Sequence, residues 1–400
     1  MRGKGASAPG KGNRSPEALR LCDTIVLNRF LKGNILTARE RERIRMDREK
    51  LGEYRKRIDG IDGEIARLIA ERVKTAREIG RAKGGSPVYD PARENAVLAN
   101  ARACCPGEEG EGVERIFREL ISLCRSVQFP PRVAFLGPEG SFSHEGVLAA
   151  FGSSVELLPC PSFPEVFRAV EKGSASFGIL PAENSIEGTV LPTMDAFVTA
   201  EKDISIQNEV SLPVHHVLAS AGSSLKEIGE VLSHPQALGQ CREWLQRNLP
   251  LAEQIPMGST SAAALASVGR PERGAVCSAL AAKNNGLNIL GERIQDRGGN
   301  TTRFWVVGRG RTEPGERNKT SFLFNVEHRP GHLFSALQPL YDNGLNLTHI
   351  QSRPLSGSSF EYYFFIDVEG HIEDEPVRRA LETMAGRTVF LRVLGSYPCR

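Results

Sequence analysis

Gly298-Gly299-Asn300-Thr301-Thr302-Arg303-Phe304-Trp305-Val306-Val307 sets two glycines and a cluster of amide, hydroxyl and guanidinium groups directly against a large apolar run. A strand beginning at such a junction holds polar side chains firmly yet leaves them within reach of a cleft, and the glycines let backbone approach a ligand closely. Two upstream stretches also join apolar to polar. Residues 175–180 (ASFGIL) form a short buried-strand pattern that empties into Pro181-Ala182-Glu183-Asn184-Ser185-Ile186-Glu187-Gly188. Residues 229–232 likewise run into Ser233-His234-Pro235-Gln236, ahead of a helical pattern over 237–249. In open α/β sheets ligands bind outside the carboxyl ends of strands, so polar clusters at two such ends predict one shared cleft.

The 400 residues exceed one ordinary core and predict roughly two to four domains. With 25% charged residues but a formal net charge of only +3, there is no broad electrostatic case for nucleic acid or a membrane surface, and any anion site must be local. The eight cysteines, including neighbouring Cys104 and Cys105, form no C-x-x-C pair and no His-rich ligand spacing. A reduced cytoplasmic protein with no structural metal is expected. No apolar run approaches the roughly 20 residues that span a bilayer. Residues 1–45, rich in Gly, Ser, Lys and Arg, carry no core pattern and lack the apolar segment of a signal peptide. They are expected to form a flexible extension; a targeting segment, or an unused upstream start with Met46 as the true one, are the alternatives.

From Leu51 the apolar positions Tyr54, Ile58, Ile61, Ile65, Leu68, Ile69, Val73, Ala76 and Ile79 alternate steps of three and four. That spacing predicts a long helix packed lengthwise on another, of the same or a second chain. Asp90-Pro91 marks a break and a new helix start, and residues 112–128 carry a further helical pattern. Arg72 and Lys83, almost three turns apart, leave the same helix face. Arg55 lies roughly 25 Å from Arg72 along the axis and about 100° around it. If all three serve one small dianion, Arg55 must reach a partner chain's site; ordinary solvated helix charges are the plainer explanation.

Residues 46–128 resemble the all-helical chorismate mutases, with Arg55, Arg72, Lys83, Asp90, Arg93, Glu94 and Gln128 at positions where that family has functional residues and Cys124 where serine is common. The resemblance implies substrate binding by this set, with Lys83 and Gln128 donating to the ether oxygen of chorismate during its rearrangement to prephenate. Residues 132–309 resemble prephenate dehydratase through 137–143 (GPEGSFS), Glu183-Asn184-Ser185 with Glu187-Gly188, 233–238 (SHPQAL), Ser259-Thr260 and 300–304 (NTTRF). That resemblance implies Thr302 as the catalytic threonine, assisting loss of the ring hydroxyl, and Asn184, Ser185, Thr260 and Arg303 as prephenate-binding residues. Arg303 is equally a candidate for a structural ion pair, and His234 for a general acid or a turn residue.

Residues 319–396 read as strand 321–327, helix 333–341, strand 347–352, strand 360–368, helix 375–384 and strand 388–394, a βαββαβ unit. It resembles the ACT domain of phenylalanine-inhibited dehydratases, which implies phenylalanine binding by Gly331, His332, Leu333, Ser352 and Arg353; His332 and Gln351 depart from the common pattern. The expected architecture is therefore multidomain: after the extension 1–45, an all-α chorismate mutase domain over 46–130, a two-lobed α/β prephenate dehydratase domain over 131–309, and an α+β ferredoxin-like ACT domain over 310–400. The expected partners are chorismate, prephenate, the effector L-phenylalanine and a second copy of the chain in a homodimer or larger homo-oligomer, with no cofactor. An arogenate-preferring dehydratase and an amino-acid sensor with decayed catalytic domains are the rival functions. A chain ending near Arg311 is expected to keep some dehydratase activity and lose phenylalanine sensitivity.

Overall fold

The computed structural model describes residues 38–84, 89–105, 107–354 and 362–399, with side chains from residue 46. Contacts divide the chain into residues 1–71 and 72–400. Helix α1 spans Ala38–Ala82 and begins inside the stretch expected to be a flexible extension; residues 1–37 of that stretch lie outside the described residues. In the first unit, Tyr54, Ile58, Ile61, Ile65 and Leu68 are 48–61% exposed, an apolar stripe at helical spacing that none of the unit's described residues covers.

Helices α2 (Pro91–Ala103) and α3 (Glu108–Ser126) follow. Asp90 starts α2 because its Oδ1 accepts from Arg93 N at 2.9 Å and Pro91 supplies the fixed φ of a first helical residue. Leu98, Ala101 and Ile121 are buried on these helices.

The next domain has two lobes. The first comprises β1 (Arg132–Leu136), α4 (Phe142–Phe151), β2 (Glu156–Cys160), α5 (Phe163–Glu171), β3 (Phe177–Asn184), the two-residue β4 (Gly188–Thr189), α6 (Leu191–Thr199) and β5 (Ile204–Pro213). The chain then crosses to the second lobe, made of β6 (Val217–Ser220), β7 (Glu230–Ser233), α7 (Pro235–Gln240), α8 (Arg242–Asn248), β8 (Glu253–Pro256), α9 (Thr260–Ala266), β9 (Arg273–Cys277), α10 (Ala279–Asn284) and β10 (Asn288–Gly291). It returns as β11 (Thr301–Arg309). The sheets run β2-β1-β3-β11-β5, with β4 on β3, and β10-β6-β9-β7-β8. The returning strand lies antiparallel between β3 and β5, so the polar start of β11 meets the polar end of β3: Thr302 pairs with Asn184 and Arg303 with Glu183.

The helix expected over 237–249 is two helices that meet at Cys241 (φ −114°, ψ 13°). Asp296 is the cause, its carboxylate accepting from Glu243 N at 2.9 Å and Trp244 N at 3.0 Å and so capping a fresh helix start.

The last domain runs β12 (Asn318–Asn325), α11 (His332–Asp342), β13 (Leu347–Pro354), β14 (Tyr362–Glu369), α12 (Glu375–Ala385) and β15 (Phe390–Pro398), in the sheet order β13-β14-β12-β15 expected of a ferredoxin-like unit. It shares a core with the first lobe: Leu323, Phe365, Leu394 and Tyr397 belong to the same buried cluster as Phe167, Phe197 and Trp305. At Gly395 a Cβ would collide with the backbone of Ile206 on β5, so only glycine lets the two sheets approach this closely. Among the described residues no helix is long and apolar enough to cross a membrane.

Candidate active sites

A cleft of about 560 Å³ opens between the two lobes. Asn184, Thr302 and Phe304 line it from the first lobe, and His216, Gln240 and Thr260 from the junction and the second lobe. Strand alternation puts Thr302 and Phe304 on the cleft side. Asn184 Nδ2 donates to Thr302 Oγ1 at 2.9 Å and to Asn300 Oδ1 at 2.7 Å, while Asn184 Oδ1 accepts from the backbone of Ile186 at 3.0 Å and Glu187 at 3.1 Å. Those two backbone donors fix the amide's orientation. Both hydrogens of Asn184 Nδ2 are therefore spent, Thr302 Oγ1 is an acceptor from it, and the threonine's own hydrogen is left to point into the cleft.

Two residues expected to bind prephenate have other employment. Ser185 Oγ donates to Gly299 O at 3.0 Å and accepts from Thr301 N at 2.9 Å, pinning the loop before β11 instead of lining the cleft. Arg303 is turned by the strand's period of two to the opposite face from Thr302. There its guanidinium, 12% exposed, meets Asp367 at 2.6 Å, Glu209 at 3.1 Å and Glu183 at 3.2 Å, so of its two expected roles it takes the ion pair and not the substrate anchor. Burial alone would lower its basicity, but Asp367, Tyr397 and Glu209 raise it above its ordinary value. Lys319 Nζ joins Glu209 at 2.6 Å, and Ser321 bridges Asp367 and Tyr397. Burial, and then the Asp367 and Glu209 charges, push the Tyr397 hydroxyl well above its usual range. His234 caps α7, its Nδ1 accepting from Gln236 N at 3.4 Å, and it also borders the cleft. Thr260, the first residue of α9, lines the cleft behind the capping Ser259.

The mutase candidates fall into separate groups. Arg72 Nη1 donates to Cys124 Sγ at 2.8 Å and Leu120 O at 3.3 Å, and Gln128 Nε2 donates to Cys124 O at 2.9 Å. Gln128 Oε1 is buried without a hydrogen-bond partner. Lys83 is exposed just beyond α1, and Arg55 is exposed in the first unit. Asp90 is spent on the cap of α2, where Arg93 is exposed. Glu94 is not gathered with Arg72, Cys124 and Gln128. It pairs with Arg125, Nη2 at 2.5 Å and Nε at 3.1 Å, and Arg125 also donates to Phe151 O of the dehydratase lobe at 3.1 Å. Arg125 follows Cys124 on α3 and so projects about 100° away from it, which carries Glu94 to the dehydratase side. Burial raises the Glu94 carboxyl above its ordinary value, against the pull of Arg125.

In the last domain Gly331 (φ 83°) takes the left-handed conformation at the start of α11, so His332 and Leu333 follow a turn that favours glycine. Ser352 is exposed. Arg353, expected at the effector site, forms a two-pronged pair with Asp195 of α6, both contacts at 2.7 Å. The planar fork matches that carboxylate in a partly exposed pair between β13 and α6. Nearby, Thr189 Oγ1 donates to Gln351 Oε1 at 3.1 Å. His216, Gln240 and Asn300 were not singled out as site residues; Gln240 and Asn300 sat in or beside quoted motifs, whereas His216 carries no local signal, since only tertiary structure brings it to the cleft.

Family models match in the same order: chorismate mutase type II over residues 54–129, prephenate dehydratase over 133–312 and the ACT domain over 320–386. A protein of Aquifex aeolicus named bifunctional chorismate mutase/prephenate dehydratase is 42% identical over 357 residues, covering 88% of this chain and 98% of that protein. A solved prephenate dehydratase of Arthrobacter aurescens in complex with L-Phe is 34% identical with a TM-score of 0.62, covering 67% of this chain and 90% of its own. A structure described as GqqA, a novel type of quorum quenching acylase, matches with the same identity, TM-score and share of this chain, and 98% of its own. Three domains in this order, with that identity over nearly the whole of a relative, place the chain in the bifunctional chorismate mutase/prephenate dehydratase family.

Proposed function

We propose that the chain rearranges chorismate to prephenate in its helical domain and converts prephenate to phenylpyruvate in the interlobe cleft, under inhibition by phenylalanine at the ACT domain. In the second step the ring C–O bond breaks with its electron pair leaving on oxygen. The pair from the C–CO₂ bond restores the ring's aromaticity, and the departing hydroxide takes a proton from solvent. Thr302 donates a hydrogen bond to that oxygen as charge develops on it. The carrying observation is the Asn184–Thr302 bond, which occupies the threonine oxygen as acceptor and leaves its hydrogen free. Asn184 and Thr260 are the substrate-binding residues on either side. Arg72, Lys83 and Gln128 serve the mutase step, which needs grip and charge stabilisation but no nucleophile.

The exposed stripe Tyr54–Ile58–Ile61–Ile65–Leu68 supports a homodimer, its occupant being the same stripe of a second copy. In that dimer the partner subunit's Arg55 completes each mutase site. Seven free cysteines among the described residues fit a cytoplasmic setting. Supplying chorismate to the purified chain and following chorismate, prephenate and phenylpyruvate separately tests the proposal. All three should change in sequence; unconsumed chorismate, or prephenate that never declines, would overturn one half or the other.

A further inference from the structure

His216 lies where the chain crosses from β5 into β6, between the two lobes, and it is 3% exposed. Its backbone N donates to Gln295 Oε1 at 3.1 Å on the returning crossover, and its ring packs edge-on against Phe142 with centroids 5.4 Å apart. The residue is therefore tied to the returning crossover through its backbone and to α4 through its ring, and it borders the cleft. Nε2 lies 3.0 Å from Gln240 Oε1, and Nδ1 is buried with no partner.

The direction of every bond from Thr302 back to this imidazole follows from donor and acceptor accounting. Backbone N–H groups of Ile186 and Glu187 require oxygen at Asn184 Oδ1, so Asn184 Nδ2 faces Asn300 and Thr302. A donor facing Asn300 requires that residue's oxygen there, which turns Asn300 Nδ2 toward Gln240 Oε1 at 3.4 Å. Gln240 is oriented a second time from its other end, because Nε2 lies 3.5 Å from the Glu187 carboxylate, which only accepts. Gln240 Oε1 is thus an acceptor on both sides, and the imidazole nitrogen facing it must carry hydrogen.

We infer that His216 is a positioning residue of the dehydratase reaction: as the neutral Nε2–H tautomer it donates to Gln240, and through Asn300 and Asn184 it holds the Thr302 hydroxyl with its hydrogen turned to the cleft. The chain crosses between the lobes, with His216 and Gln240 on one side and Asn300, Asn184 and Thr302 on the other, so it also fixes how the two walls face each other. Neutrality fits the surroundings. Burial lowers the imidazole's pKa, opposed by the Gln240 bond and assisted by neighbouring His215. A second proton on Nδ1 would be a buried donor without an acceptor. The role rests on Thr302 as the hydrogen-bond donor to the leaving oxygen.

Two substitutions and one spectrum of the full-length protein test it. His216→Phe keeps a buried ring and removes the donor; His216→Gln keeps an N–H near the position of Nε2. The phenylalanine variant should lose roughly 10- to 100-fold in dehydratase kcat, the scale for a residue that orients the reacting groups. Its KM should stay within about threefold, since the group lost does not grip substrate. Mutase turnover of the same chain should be unchanged, and the glutamine variant should recover most of kcat. Wild-type kcat in His216→Phe, or equal damage in both variants, overturns the inference. Nitrogen-15 NMR of labelled wild-type imidazoles, with the His216 signal identified by its loss in His216→Gln, should show the Nε2–H tautomer at neutral pH whatever the stability of the variants. The Nδ1–H tautomer or an imidazolium overturns the His216 link alone, whereas full turnover by Thr302→Ala overturns the donor role beneath it.

Discussion

Arg303 donates to Asp367 at 2.6 Å, so the residue that follows Thr302 on β11 is bound directly to the sheet of the ACT domain. One face of this strand end serves the cleft and the other the ACT domain. A shift of Asp367 or its neighbours Ser321 and Tyr397 would reach Thr302 through a single peptide unit.

Arg303→Met should destabilise the chain by about 3–5 kcal/mol, because it leaves the buried Asp367 and Glu209 carboxylates without their shared guanidinium. Lys319 still reaches Glu209, which places the expectation toward the lower end. Denaturant midpoints of the two proteins measure it; a cost below about 1 kcal/mol, the scale of a surface pair, would contradict the account.

The shared core changes the expectation for a chain ending near Arg311. Removing the later residues strips Leu323, Phe365, Leu394 and Tyr397 from Phe197 and Trp305. Such a chain should lose dehydratase turnover and aggregate, since a large apolar face is uncovered. A soluble, fully active shortened protein, assayed directly, would show the two domains to be independent.

Composite mutase sites predict complementation. Arg55→Ala and Arg72→Ala proteins should each be inactive as mutases, and mixing them under verified subunit exchange should restore activity in heterodimers, where one of the two sites keeps both arginines. No recovery would place both residues in one chain's site.

Phenylalanine should bind the full-length protein and inhibit dehydration, with a coupling of about 1–3 kcal/mol giving roughly 5- to 150-fold shifts. Calorimetry at millimolar phenylalanine checks the binding step. Absence of heat and of inhibition would leave the ACT domain a structural unit, with His332 and Gln351 the first residues to revert to the common pattern.

The fold was legible where local chemistry decides it. Asp90-Pro91 announced the cap of α2, and the 175–180 run announced β3. The βαββαβ order followed from apolar periodicity, with strand ends displaced by only a few residues. Contacts between distant parts of the chain were not legible. Asp296 breaking the 237–249 helix, Asp367 claiming Arg303, Asp195 claiming Arg353 and Arg125 claiming Glu94 are long-range pairings for which neither partner carries a sign in its own neighbourhood. Ser185 and Thr302 were both visible as polar residues at strand ends, but only the β3–β11 register separates the residue that pins a loop from the one that faces the cleft.

The central claim, that one chain performs both steps and that Thr302 acts only in the second, is tested most directly by supplying chorismate to Thr302→Ala. Chorismate should disappear at the wild-type rate and prephenate accumulate, with phenylpyruvate formation down by about 10²-fold or more, the scale of a transition-state hydrogen-bond donor. Phenylpyruvate appearing at the wild-type rate would remove Thr302 from the mechanism, and unconsumed chorismate would show that the two reactions are not separable in this chain.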